Sequence, residues 1–152
     1  MSLAVVDGAA GETLTAGPLR LRVLEDGGRT GHRLALVELT IPPGIAGPPQ
    51  HLHREHDETF YVLSGTPTFT CGTDETHAQS GTLVTAAIGV PHTFANPGAE
   101  PAVLLCTFSP DLYVDYFREL ARLAHGPTGL DPVAVGQLMR RYATEAVAPV
   151  SG

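Results

Sequence analysis

The 152-residue sequence predicts an all-β fold, a double-sheet jelly roll closed into a small barrel and followed by a C-terminal pair of α-helices. Three observations carry this reading. Thirteen prolines and seventeen glycines fall mostly between short apolar runs, the punctuation of many short strands joined by turns. Eight or more such runs precede Ser109, and the clearest of them alternate with the period of two that a half-buried strand requires. Beyond Ser109 the apolar residues recur every three or four positions, the period of a helix.

Taken in order, residues 1–17 are small, polar and glycine-rich and read as a loose N-terminal arm. The barrel then occupies 18–109. Leu19 to Val23 alternates cleanly, and Glu25-Asp26-Gly27-Gly28 is a turn. His32 to Ile41 is a longer strand, apolar on both faces around Leu34 to Val37, and Pro42-Pro43-Gly44 ends it. Thr66 to Cys71, Glu75 to Gln79 and Thr82 to Ala86 are short strands, with a turn at Gly72-Thr73-Asp74, and Ala102 to Phe108 is the last barrel strand. Ser109-Pro110 has the form of an N-cap followed by a first-turn proline. Leu112, Tyr116, Leu120 and Leu123, with Phe117 beside them, form a helical stripe up to Gly126. Asp131-Pro132 repeats the start signal, and Val135, Leu138, Met139 and Tyr142 form a second stripe. The helices are assigned to 110–146, packed on the barrel or on a partner subunit, and 147–152 to a fraying tail.

The chemistry concentrates in Pro48 to Gly65, PPQHLHREHDETFYVLSG. Residues i and i+2 of a strand share a face, so His51 and His53 project together, and Glu58 shares its face with Phe60 and Val62. A turn through Arg54-Glu55-His56-Asp57 would set the carboxylate opposite the imidazoles. Neutral imidazoles and a carboxylate on one face are what a divalent metal with open positions needs. The stretch Gly81 to Asn96, GTLVTAAIGVPHTFAN, adds His92 on a short strand with Phe94 and Asn96 on the same face.

Together these stretches resemble the two motifs of the cupin superfamily. His51, His53, Glu58 and Gly65 fit the first, with four residues between His53 and Glu58; Gly81, Gly89, His92 and Asn96 fit the second. Ile45 stands where the first motif has glycine, and Ala87 where the second has proline. The resemblance spans roughly Leu19 to Phe108 and implies a double-stranded β-helix, the jelly-roll cupin barrel. It also implies one divalent ion per chain on His51, His53, Glu58 and His92, with iron, manganese, nickel, copper, cobalt and zinc all open. Pairing as a homodimer through the barrel sheets is implied too. The run HREHDETFYVLSG is similar to small quercetin-dioxygenase-like cupins.

Composition excludes several classes. Net charge is −7 and all nine basic residues are arginine, so no Schiff-base lysine exists and no basic cluster invites nucleic acid. No run of eighteen apolar residues and no signal peptide is evident, which predicts a cytoplasmic protein without membrane contact. Cys71 and Cys106 read as buried small hydrophobes, and His32, His77 and His125 as ordinary surface or packing histidines. His56, out of phase at the turn, reads as a solvated or acid–base residue near the barrel mouth.

A substrate pocket is expected from Phe60, Val62 and Phe94, with Gln50 and Asn96 as polar neighbours of the ligands; Tyr61 faces away. Its occupant is a small molecule. The expected activity is that of a mononuclear non-haem metal oxygenase on an apolar or aromatic, oxygen-chelating molecule, with Glu58 both ligand and catalytic base. The alternatives are a non-redox metal enzyme (isomerase, lyase or polyketide-type cyclase) and a non-catalytic binding cupin.

Overall fold

A computed structural model describes residues 2–111 and 113–148. In chain order the strands are β1 (Glu12–Ala16), β2 (Leu19–Glu25), β3 (Ala35–Ile41), β4 (Ile45–Ala46), β5 (His51–His53), β6 (Asp57–Ser64), β7 (Thr68–Cys71), β8 (Asp74–His77), β9 (Leu83–Ala86), β10 (Thr93–Asn96) and β11 (Ala102–Ser109). Helices α1 (Val114–Ala124) and α2 (Pro132–Arg141) follow, and a final short strand, β12 (Thr144–Ala146), ends the described fold.

One sheet runs β1-β2-β3-β11-β6-β9 and the second β4-β10-β7-β8, all pairs antiparallel; β12 pairs with β5 alone. Alternation decides what each strand buries: β3 turns Ala35, Val37, Leu39 and Ile41 inward, and β11 turns Ala102, Leu104, Cys106 and Phe108. Phe60 of the first sheet meets Phe69 and Phe94 of the second at ring distances of 5.2 and 5.9 Å. Truncating such a buried ring costs about 3–5 kcal/mol. The jelly roll is therefore two sheets packed face to face, rather than a barrel closed by hydrogen bonds.

Two glycines are fixed by close approach. Gly65 has φ +83°, and a Cβ there would lie 2.6 Å from Ala102 Cα. It sits where β6 leaves its ladder with β11, beside the register shift at Val103/Leu104. At Gly47 a Cβ would lie 2.5 Å from Phe94 O, so the loop into β5 lies directly on β10.

Four expectations are corrected here. The N-terminal arm is not loose throughout: Glu12–Ala16 pair with Leu19–Val23, and Arg118 of α1 bonds Glu12 at 2.8 Å and Asp26 at 2.9 Å, tying β1 under the helix. Ser109 caps no helix, because it is still in the ladder opposite Asp57; α1 begins at Val114, with Tyr113 before it, and Leu112 lies outside the described residues. The tail does not fray at once: β12 pairs with β5, and Val147 N donates to Gln50 O at 2.8 Å. Positions 149–152 of that tail lie outside the described residues. Cys71 is exposed at the β7–β8 turn, while Cys106 is buried. The second helix start is as expected, Asp131 accepting from Ala134 N at 2.9 Å with Pro132 next in sequence.

Candidate metal centre

Backbone pairing sets the ligands in place before any side chain acts. His51 and His92 exchange both backbone hydrogen bonds, at 3.0 and 2.9 Å, which joins the two motif stretches at one point. His53 lies on the same face of β5, and Glu58 enters from β6, whose ladder with β9 and β11 holds it on both sides. All four side chains are buried, and one donor atom from each can be chosen so that all lie within 4.8 Å of one another. Opposite donors around an ion with bonds of about 2.1 Å stand roughly 4.2 Å apart, so a small contraction suffices.

Hydrogen bonding shows which nitrogen of each ring is available. His51 Nδ1 donates to Pro49 O and His92 Nδ1 to Val90 O, both at 2.9 Å. A carbonyl only accepts, so these Nδ1 atoms carry the protons. His53 Nδ1 donates at 2.9 Å to Thr144 Oγ1, whose own proton goes to Tyr142 O at 3.1 Å. In the neutral tautomers each Nε2 then presents a lone pair. Two of these face an anion: Glu58 Oε2 is 2.9 Å from His53 Nε2 and 3.2 Å from His92 Nε2. Lone pairs against a carboxylate are stable only with a positive charge between them, either a proton or a cation. The donor set, its tautomers and its charge fit a divalent ion.

Protonation states follow from the same packing. Burial pushes Glu58 up, but the hydrogen bonds from His53 and His92 outweigh it and hold the carboxyl at about 2. Burial, with His92 beside it, lowers His51 to about 4. Burial also opposes protonation of His92, yet its hydrogen bond to Glu58 wins and raises it.

Two of the four, His51 and Glu58, open onto a cavity of about 530 Å³. His51, Glu58, Phe60 and Phe94 line its inner end, and Tyr113, Tyr116 and residues of both helices line the rest. Of the expected pocket residues, Phe60 and Phe94 line this cavity. Val62 is fully buried one step deeper on the same face of β6, and does not line the cavity. Gln50 does not either: its amide is clamped to the β7–β8 turn, donating to Gly72 O at 2.7 Å and accepting from Gly72 N at 2.8 Å. Asn96 is spent on the loops at the far end of β10, donating to Ile41 O and Glu100 O and accepting from Gly98 N. It is a loop clamp and touches no ligand.

His56 is not solvated. It is fully buried, its ring stacks on His53 at 4.1 Å, and neither ring nitrogen has a hydrogen-bond partner among the described residues. Burial, with His53 adjacent, lowers it to about 4. Tyr61 faces outward as expected, and His32, His77 and His125 lie at the surface. Thr144, Tyr113 and Tyr116 had no place in the sequence reading of the site. Tyr116 belongs to the stripe that reads as helix packing, Tyr113 lies beside it, and nothing around Thr144 signals a strand.

The family comparison agrees with this geometry. The model described as "Cupin domain" matches residues 37–108, and the chain belongs to the cupin superfamily. KdgF from Halomonas is 15% identical over 72% of this chain and 94% of its own, with TM-score 0.63. An RmlC-like cupin from Shewanella frigidimarina is 22% identical over 72% of this chain and 92% of its own, with TM-score 0.60. A putative sugar phosphate isomerase from Acidithiobacillus ferrooxidans is 27% identical over 59% of each chain, with TM-score 0.52. No curated protein sequence matches. Among the described residues, no helix is long and apolar enough to cross a membrane.

Proposed function

We propose that the chain is a metal-dependent cupin in which His51, His53, Glu58 and His92 hold one divalent ion, and that it acts as a mononuclear non-haem oxygenase. Its substrate is an apolar or aromatic molecule carrying adjacent oxygens. The observation that carries the proposal is the position of the four buried donors, gathered together with two of them, His51 and Glu58, lining a cavity walled chiefly by apolar side chains. When bound, such an ion supplies Lewis acidity and, if redox-active, the electrons that dioxygen chemistry needs.

The chain's own residues then have separate tasks. Phe60 and Phe94 pack against the substrate's body and keep water from the reacting end. Pro49 O, Val90 O and Thr144 hold the three imidazoles with Nε2 toward the site. Glu58, held ionised, is placed to take the proton of a substrate hydroxyl at its carboxylate. The deciding experiment loads anaerobic protein with iron, manganese, nickel, copper or cobalt in turn and offers flavonols, catechols and β-diketones while oxygen is followed. Substrate-dependent uptake above that of free metal supports the oxygenase.

A second reading, a non-redox isomerase, lyase or cyclase, uses the same site for Lewis-acid catalysis alone. The 27% identity to a putative sugar phosphate isomerase favours that class. Against a sugar phosphate stands the cavity wall, which contains no arginine among the described residues, in a chain without lysine. Ligand-dependent change in the metal spectrum without oxygen uptake selects this second reading. We also propose that the chain pairs as a homodimer through the outer face of β6 and β9.

A further inference from the structure

We propose that the outer limb of the cavity, roofed by α1 and α2, is the binding site for an extended apolar body, an acyl chain or fused-ring system. The ligand class is thus an amphipathic molecule with one oxygen-bearing head and a hydrophobic tail longer than a single ring. Placement of the head rests on the metal-centre reading above; the tail site does not.

The polarity of the walls is one-sided. Glu58 and His51 stand at the inner end, while the outer limb runs between Leu21 and Leu39 of the first sheet and Phe117, Leu120, Val135 and Met139 of the helices. Among the described lining residues, Glu58 is the only carboxylate, and none is arginine or lysine. A sugar or phosphate lying in the outer limb would lose its water and find almost no partner, whereas a hydrocarbon loses nothing there. The volume of about 530 Å³ falls in the range of pockets that enclose a molecule of drug size, far more than a catechol fills.

The roof is also anchored at both ends. Arg118 fastens α1 to Glu12 and Asp26, and at the other end β12 fastens the chain after α2 to β5 through three paired residues. Arg54 and Glu145 pair across that same ladder at 2.8 Å. With both ends anchored, closing the space between the helices and Leu21 and Leu39 would strain the ion pairs or the ladder. The space between them is built into the fold.

The test uses the full chain and linear hydroxamates, acetohydroxamate to decanohydroxamate, whose heads chelate and whose tails differ only in length. With cobalt(II)-loaded protein, affinity read from the visible spectrum should rise about fourfold per methylene until the limb is full. In Val135→Phe the chain-length gain should disappear while acetohydroxamate binds as in the parent; Ala16→Leu, narrowing the limb from β1, is the second variant. In parallel, chelator-treated protein should bind the uncharged probe N-phenyl-1-naphthylamine one per chain and release it to decanol. Equal affinity for short and long hydroxamates, or no probe binding by folded metal-free protein, overturns the tail site. Loss of cobalt and acetohydroxamate binding with probe binding kept instead overturns the metal centre and leaves the tail site standing.

Discussion

Thr144 Oγ1 accepts a hydrogen bond of 2.9 Å from His53 Nδ1, joining residues 91 apart in sequence. The threonine is fully enclosed, and because its proton is committed to Tyr142 O, it can only accept from the ring. One hydroxyl in the short terminal strand therefore selects the His53 tautomer that turns a lone pair into the site. The other two imidazoles obtain the same service from carbonyls within two residues of themselves.

Thr144→Val keeps the shape and removes the acceptor. Divalent metal affinity, measured by competition with a chelating indicator, should fall about 10–100-fold, the usual cost of losing such a partner. Thr144→Ser should keep most of the affinity. Equal affinity in the Val and wild-type proteins would show that β12 serves the fold alone.

Replacing both His51 and His53 by alanine should strip the metal and leave the sheets folded, since neither side chain belongs to the apolar contact between them. Stoichiometric metal in the folded double variant would disprove the ligand assignment.

His56 should set the acid sensitivity of the metal-free protein together with His51. Both are held at about 4, below the ordinary 6.5 of a free imidazole, so each favours the folded state most above pH 6.5. That stability is lost as pH falls from 6.5 through 4, where the unfolded chain binds protons that the folded chain refuses. Glu58, held near 2, adds a further loss only below its ordinary 4.5. In His56→Leu the apparent Tm of chelator-treated protein should therefore fall less between pH 6.5 and 4 than in the parent. An unchanged pH slope would mean that His56 is hydrated in solution.

The legible part of this site was the part written locally. His51 and His53 share a face because two residues separate like faces of any strand, and Glu58 with Phe60 follows the same rule on β6. What local pattern misses is closure by distant chain. Thr-Glu-Ala at 144–146 has no apolar alternation, and becomes a strand only because β5 offers it an open edge. His56 reads as a turn residue, and its burial comes from Phe108 and Tyr113, more than fifty residues on, packing around its ring. Glu12–Ala16 reads as a loose arm because its own small and polar residues do not announce the strand, which is ordered by pairing with β2 and tied down by distant Arg118. Gln50 and Asn96 have the right polarity to serve the ligands, but turn and loop backbone groups take their hydrogen bonds instead.

The proposed homodimer has a specific surface. Tyr61 is paired with Leu83 across β6 and β9, and both are exposed beside Leu63 on the outer face of a sheet whose edge is β9. Sedimentation at micromolar concentration should give a dimer, and Leu83→Asp should give a folded monomer. A monomeric wild-type chain would refute the pairing.

Glu58→Gln tests the carboxylate in both of its proposed roles. The substitution keeps size and most of the geometry but removes the negative charge next to His53 Nε2 and His92 Nε2. Without that charge, burial is opposed only by the hydrogen bond to Val90 O, so the His92 pKa should drop from its raised position, a shift readable by NMR titration of the metal-free protein. The sign matters for metal loading. In the parent, a proton on His92 must leave before the ion enters, so affinity should decline as pH falls through the raised His92 pKa. The variant should bind metal more weakly at neutral pH but with a shallower acid decline, because fewer protons compete. If metal is supplied in excess so that the variant is loaded, any substrate-dependent oxygen uptake should still be lost, since an amide cannot take the hydroxyl proton. Uptake preserved in the loaded Gln variant would remove Glu58 as the base while leaving it a ligand. An unchanged His92 titration would show that the carboxylate and the imidazole do not meet in solution.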